Sequence, residues 1–449
     1  MNHPAPQFFS APVYGSSQEA LVAAAAIPLV IYGYPLVETI RTCKVQTAVS
    51  EATGYGRAPV NTLSASERQW THEDRDVVTP ANDLLYFCGW ANLADGPVTL
   101  RVPPLPQCDP QRDRYYVVEL LDAYTNNFEN LGPRNVPAEG GTVTLIGPGQ
   151  HAEGEHVVAC PTSLVWLLGR VLVQGPDDLA AAHAFESGFA LDAPGKAMPQ
   201  CVRDWRHTGS EALDFFQNLF NALHEYPPTE RELGAFTLLR KAGLKLEADI
   251  DVTALRAEIR TGLENAYRQA MQLIEAHTRS QGRKSWGYSL KLGLYGDDWL
   301  QRACTAMKGL GALRADEAIY AMADFDADSA PLHGAHAYEL RFPPGMLPPA
   351  QAFWSVSLYG EDRFFSANEI GRYAVGDRTP GLRMEADGSL VIPISHRRPE
   401  QAEQAEHAEH ADNWLPAPAG PFYLILRLYH PAPAFIAGEY RIPPVRRIA

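Results

Sequence analysis

Between residues 84 and 160 short apolar runs alternate with breaks rich in Gly, Pro, Asp and Asn. The runs at 84–90, 97–102, 115–122, 142–146 and 156–160 have the length and spacing of strands, which predicts a sandwich or barrel-like sheet. From residue 162 the pattern changes. Segments 162–173, 211–225, 230–242, 252–278 and 298–313 carry apolar residues at i, i+3 and i+4, the helical period. Thr229 and Glu232 form a capping box at the start of the third segment. Strand patterns return at 337–342, 352–359, 382–385, 390–394 and 422–429. Residues 1–17 are Pro- and Ser-rich and predict an extended arm. Ser17 is expected to cap a helix running to about residue 41, kinked near Pro28 or Pro35. The order is strands, helices, strands. It predicts an α+β protein with two β-rich, sandwich- or jelly-roll-like lobes and a helical segment between them, not a βαβ alternation. The expected divisions are an arm at 1–17, a first lobe with its helix at 18–175, a helical segment at 176–325 and a second lobe at 326–449.

The last long strand holds the most informative residue. Successive strand side chains point to opposite faces. Phe422, Leu424, Leu426 and Leu428 therefore share one face, and Tyr423, Ile425, Arg427 and Tyr429 the other. An arginine between two tyrosines on such a strand is either paired and buried or faces a cavity. The expectation is that this face points into the core between the lobes.

Composition narrows the function classes. At 46 % hydrophobic and 20 % charged residues the chain has the make-up of a soluble globular protein. A net charge of −15 disfavours nucleic acid and anionic membrane as partners. The six cysteines (Cys43, Cys88, Cys108, Cys160, Cys201 and Cys304) form no CxxC pair, so free thiols and a reducing, cytoplasmic setting are expected. Residues 20–37 carry no charge but are interrupted by Pro28, Gly33 and Pro35 and have no preceding Lys or Arg. A buried helix is expected there, with an atypical export segment as the alternative. The acidic stretch 400–412 reads as a mobile loop; His407 and His410 within it are only three apart and make a poor metal pair.

Several motifs carry a resemblance. In the first half they are Tyr32-Gly33-Tyr34-Pro35, Thr79-Pro80-Ala81-Asn82-Asp83 with Tyr86, Arg114-Tyr115-Tyr116, Asp122-Ala123-Tyr124-Thr125-Asn126-Asn127 and Gly169-Arg170. In the second they are Tyr295-Gly296 with Arg302, Phe353-Trp354-Ser355 with Tyr359, Asn413-Trp414-Leu415-Pro416 and Leu426-Arg427-Leu428-Tyr429. Over roughly residues 20–447 the chain resembles the paired DUF1254/DUF1214 family, whose domains have no assigned function. The resemblance implies two lobes with much β-sandwich and added helices. Many members carry an export leader; this chain begins without that pattern, so the compartment does not carry over. The stretch 400–412 looks like an insertion before the Asn-Trp-Leu-Pro motif.

The sequence shows no GxSxG, GxxxxGK[ST], HExxH or GxGxxG signature, so neither metal nor cofactor is expected. Asp122, at a strand end, with Tyr124, Asn126, Asn127, Glu129 and Arg134 in the following loop, is one candidate set. It offers a base, a proton donor and an anion holder; an Asx turn and an ion pair are the alternatives. Asp83 with Tyr86 is a second acid–phenol pair, and Tyr86 shares a strand face with Cys88 and Trp90. Tyr34 and Glu38 on the first helix are a third; burial would raise the carboxyl, and a salt bridge with Arg41 is the competing reading. Arg427 and Arg134 are expected to bind anionic groups, with Asn126 and Asp83 beside them. Trp354, Trp414 and Tyr429 are expected to stack on a ligand. These residues point first to an enzyme that acts on a small or medium organic molecule by metal-independent acid/base chemistry, of hydrolase or lyase type, in an aromatic-lined pocket between the lobes. The alternatives are a non-catalytic carbohydrate or small-ligand binding protein and a structural protein. The expected partner is a small molecule, with a homo-oligomer left open.

Overall fold

The computed structural model describes residues 14–54, 56–75, 78–109, 112–246, 250–280, 285–399 and 413–448, with backbone alone at 107–109, 112–113 and 279–280. The acidic stretch 400–412, with His407 and His410, and residues 1–13 of the expected arm lie outside the described residues.

The chain opens with α1 (Ser17–Thr47), which runs without a break through Pro28 and Pro35. Its cap is Ser16 rather than Ser17, accepting the Glu19 N–H at 3.1 Å. The first lobe follows with β1 (Leu63–Ala65), β2 (Leu84–Asn92), β3 (Val98–Val102), the small hairpin β4 (Gln107–Asp109) and β5 (Arg112–Asp113), β6 (Tyr116–Leu121), β7 (Asn127–Leu131), β8 (Gly141–Ile146), β9 (Val157–Ala159) and β10 (Leu164–Leu172). After α2 (Leu179–Glu186) a short β11 (Ala190–Asp192) returns to it. These strands make two sheets, ordered β1-β2-β10-β6-β7 and β11-β3-β8-β9, closed over an apolar core that includes Phe87, Leu100, Val118 and Leu167.

The helical layer holds α3 (Gln200–Arg203), α4 (Glu211–Glu225), α5 (Glu230–Leu233), α6 (Thr237–Lys241), α7 (Ala257–Ser280) and α8 (Trp299–Gly309). The expected helix at 230–242 is broken by a 3-10 turn at Gly234–Phe236. By length and composition α1 could cross a membrane, but in this fold most of its apolar surface is buried among α4, α7 and α8. The second lobe holds β12 (Ala318–Ala323), β13 (Tyr338–Phe342), β14 (Ala350–Gly360), β15 (Ala374–Gly376), β16 (Leu390–Ser395), β17 (Leu415–Pro416), β18 (Phe422–Pro431), α9 (Pro433–Ile436) and β19 (Arg446–Arg447). Its sheets run β12-β18-β14-β15 and β17-β16-β13-β19. The lobe thus begins with β12, inside the stretch expected to be helical, and 382–385 forms no strand.

Residues 162–173 are the main departure from the sequence reading. They form β10, a central strand, not a helix. Leu164 to Leu172 is almost wholly apolar because both faces of its sheet are covered, and a continuous apolar run has no period to separate strand from helix. One face of β10 joins the first-lobe core. The other carries Leu164, Trp166, Leu168, Arg170 and Leu172 along a gradient. Leu164 and Trp166 pack under the helices, and Leu172 packs against the second lobe with Leu84, Tyr115, Phe353 and Tyr429. The same sheet face is therefore shared between the helical layer and the second lobe. Arg170 and Glu119 lie where the two meet, near Gly311, whose carbonyl accepts from Arg170 at 3.2 Å. Gly311 has φ +81, and a Cβ there would lie 2.5 Å from Leu168, so glycine is required for this approach.

Candidate functional site between the lobes

The seam is built by alternation. On β18, Phe422, Leu424, Leu426 and Leu428 enter the second-lobe core, whereas Tyr423, Ile425, Arg427 and Tyr429 face the first lobe. On β14, Trp354, Val356 and Leu358 are in that core and Phe353, Ser355, Ser357 and Tyr359 face out. Arg427 is opposite Tyr320 of β12 on one side and Ser355 of β14 on the other. The first lobe answers with Tyr86 of β2, Arg170 of β10, and the 79–83 turn.

Arg427 is buried. It donates from Nη1 to Ser357 Oγ at 2.9 Å and from Nη2 to the Thr79 carbonyl at 2.7 Å. The rings of Tyr359 and Tyr320 lie 5.6 and 6.0 Å from its guanidinium carbon. Among the described residues no carboxylate lies within ion-pair distance of it. Thr79 presents its carbonyl from the left-handed region, φ 53, and donates its own N–H to the Arg363 carbonyl at 2.9 Å. Asp83 lies close by. Its Oδ2 accepts from Ser355 Oγ at 2.7 Å, and burial pushes its carboxyl above the usual range, against the lowering by Ser355 and the Arg427 charge. Asp83 and Arg427 are thus held by serines two residues apart on one face of β14, roughly 6–7 Å along the strand.

Tyr86 accepts the Ala81 N–H at 3.1 Å, which leaves its phenolic proton free to donate. Trp70 stands edge-on to Tyr86 at 6.4 Å, and Tyr359 stacks on Tyr423 at 5.5 Å. Tyr86, Tyr320, Tyr423 and Trp70 are only half-buried, as is Asp83, although all five lie in the seam. Each keeps part of its surface accessible, and together with Tyr359 the four aromatic residues line the seam with rings. Burial drives the Tyr359 phenol up to about 12 and raises the Tyr320 and Tyr423 phenols as well. Deeper in, Arg170 pairs with Glu119 at 2.7 Å and lies 5.8 Å from the Tyr86 ring. Burial raises the Glu119 carboxyl, and Arg170 opposes it.

The seam gathers four of the residues expected from the sequence: Asp83, Tyr86, Arg427 and Tyr429. Tyr429 is fully buried, stacked on Phe353 at 4.3 Å, and forms the floor rather than an open platform. Arg134 is at the edge of the interface and is engaged by the Glu317 carboxylate; Glu317 also accepts from Tyr115 at 2.7 Å. Asp122 is elsewhere. It forms an Asx turn, its Oδ1 accepting the N–H groups of Tyr124 and Asn126 at 2.9 Å and its Oδ2 the Asn126 amide at 2.9 Å. Burial raises its carboxyl, but both oxygens are occupied in shaping the loop, so Asp122 and Asn126 are turn-formers here. Tyr34 and Glu38 lie in the helical layer, and Glu38 pairs with Arg41. Trp354 and Trp414 are 3 % and 2 % exposed, inside the second lobe, and offer no surface for stacking. Ser355, Ser357, Tyr320, Arg170 and Glu119 were missed. Arg170 was hidden by reading β10 as a helix; the two serines, on alternate positions of an apolar strand, were a signal of the same kind as Arg427. No group of three His, Cys, Asp or Glu side chains among the described residues is placed to hold a metal ion.

The DUF1254 model, a protein of unknown function, matches residues 60–193, and the DUF1214 model, also of unknown function, matches 317–433. No curated protein matches the chain. Among solved structures the VPA0106 protein of Vibrio parahaemolyticus is 22 % identical, covers 96 % of this chain and 100 % of its own, and superposes with a TM-score of 0.71, which shows a shared fold. An uncharacterised Burkholderia cenocepacia protein, 11 % identical over 96 % of this chain and 94 % of its own, reaches only 0.46. The two matched stretches are the first lobe and the second, and the seam is where they meet: the chain belongs to the paired DUF1254/DUF1214 family.

Proposed function

We propose that this chain is an enzyme that acts on a small organic molecule by acid/base chemistry in the seam between the lobes. The observation that carries the reading is the open pair of Asp83 and Arg427. Two groups of opposite charge, Arg427 buried and Asp83 half-buried, face the seam, each anchored on its own serine, without forming an ion pair with each other. A fold selected only for stability would gain by closing them or by replacing both with apolar residues. In this reading Asp83, its carboxyl raised by burial, takes or returns a proton. Tyr86 donates from its free phenolic proton, and Arg427 steadies negative charge that develops as a bond is hydrolysed or a group is eliminated. The tyrosine walls exclude water and orient the molecule. A carbohydrate-binding platform has less support, because both tryptophans expected to form it are in the core.

A turnover screen over small carboxylic acids, esters and lactones tests this. Any substrate found should lose turnover by ~10²-fold or more in Asp83→Asn, whereas Asp122→Asn acts only through stability. Turnover that survives Asp83→Asn in a folded protein contradicts the proposal.

A further inference from the structure

The seam also carries information about what it takes, an inference that rests on reading it as the active site. We infer that its substrate is a planar organic monoanion whose carboxylate is received by Arg427 and whose ring or conjugated body lies between Tyr86, Tyr320 and Tyr423.

Three features lead there. First, Arg427 has five N–H groups; Nη1 and Nη2 donate to Ser357 and the Thr79 carbonyl, and the Tyr359 phenol also accepts from the guanidinium. All three acceptors are neutral, two hydroxyls and a peptide carbonyl. A permanently charged guanidinium that is buried with only neutral acceptors can still receive an anion on its remaining donors. Arg170 supplies the contrast. Equally deep in the same sheet interface, it is already neutralised by Glu119 at 2.7 Å. Arg114, also buried, has a bidentate partner in Asp178 at 2.7 and 2.8 Å. Among these three, Arg427 alone lacks a carboxylate.

Second, the charge demand is for one anionic group. Asp83 is held by Ser355, two residues from the serine that holds Arg427, so a second negative group on the ligand would meet it, whereas a carbonyl, hydroxyl or acidic C–H would meet a base. Third, the walls are flat. Tyr86, Tyr320, Tyr423 and Trp70 present aromatic surface to the seam, and Tyr359 backs Tyr423. Faces of this kind favour a planar partner over a puckered one of equal area. The spacing of Ser355 and Ser357, roughly 6–7 Å, is about that of a six-membered ring with its carboxylate at one end and the reacting atom at the other.

Calorimetric titration of the full chain with benzoate, benzamide and cyclohexanecarboxylate tests the inference. Benzoate should bind saturably, benzamide (the neutral isostere) at least tenfold more weakly, and cyclohexanecarboxylate measurably more weakly. Arg427→Gln should bring benzoate down to the benzamide level. Because that variant removes a buried charge and could unfold, the comparison of the three probes on the unaltered chain stands without it. Benzamide binding as tightly as benzoate overturns the anion class and leaves the seam as a site. Cyclohexanecarboxylate binding as tightly as benzoate overturns planarity. If none of the three binds, the inference falls, and the acid/base reading is then decided by the turnover screen alone.

Discussion

At the scale of single residues, what separates a candidate site from a structural contact is whether a group's bonding capacity is already used. Asp122 and Asp83 look equally promising as strand-border carboxylates, yet Asp122 has both oxygens filled by its own loop and Asp83 has one serine. Sequence position carries no record of that. Glu38 likewise found its competing partner, Arg41. Glu186 shows the same principle in stability. It is buried beside His183, 3.5 Å away, and burial, outweighing the hydrogen bonds of Ser66, pushes its carboxyl up to about 9. Its folded value is raised, so between the ordinary 4.5 and about 9 the unfolded state releases its proton first. Stability should therefore fall as pH rises through that window. Glu186→Gln should flatten the fall and gain stability at pH 8 by on the order of a few kcal/mol relative to the parent. Urea unfolding at pH 5 and pH 8 measures this; a parent with equal stability at both would contradict it. Arg427 was legible because a lone charge on an apolar strand is visible in period 2. Its partners Ser357 and Thr79 were not, because they come from an adjacent strand and another lobe.

At the scale of elements, type and order were legible where polar residues mark the period. Strand β18, marked by Arg427 and its tyrosines, and helix α4 were predicted nearly to the residue. The reading failed where the apolar run is almost unbroken, as in β10, and the cost was Arg170. The tryptophans mark the complementary error: aromatic residues in a sandwich protein suggest platforms, but Trp354 on β14 and Trp414 just before β17 turn inward. Trp414, whose indole N–H donates to the Ser395 carbonyl at 3.1 Å, is a core residue. Trp414→Ala should cost ~3–5 kcal/mol of stability, read by urea unfolding, with no selective loss of benzoate affinity in the protein that remains folded. Helix crossings were beyond the sequence too. Gly262 of α7 lies so close to α1 that a Cβ would stand 2.7 Å from Val22 and 2.9 Å from the Glu19 carbonyl. Gly262→Leu should force the helices apart and destabilise by roughly 1–3 kcal/mol or more; a thermal midpoint equal to the parent's would show that the two helices do not pack this closely.

At the scale of the whole molecule, the two lobes and the helices share one sheet face, so they are expected to unfold together. Cross-lobe bonds run from Arg427 to Thr79, from Tyr359 to the Pro80 carbonyl at 2.5 Å and from Tyr115 to Glu317. Glu317 is the densest of these joints, receiving Tyr115, Arg134 and His430. Scanning calorimetry should give one transition for the parent. Glu317→Ala should lose on the order of 2 kcal/mol, less than a fully buried pair because Arg134 is half in solvent, and should broaden or split the transition. Two transitions in the parent would contradict the shared interface. In the proposed reading the acid, Asp83, comes from one lobe and the anion receptor, Arg427, from the other, so neither matched domain holds the proposed site alone.

The most direct test of that account is a crystal structure of the full chain grown with benzoate. The account predicts the carboxylate on the free N–H groups of Arg427, with the ring between Tyr86 and Tyr423 and the Asp83 carboxyl beyond it. Benzoate seated elsewhere, or a seam holding only water with Arg427 bound as before to Ser357 and Thr79, would contradict it.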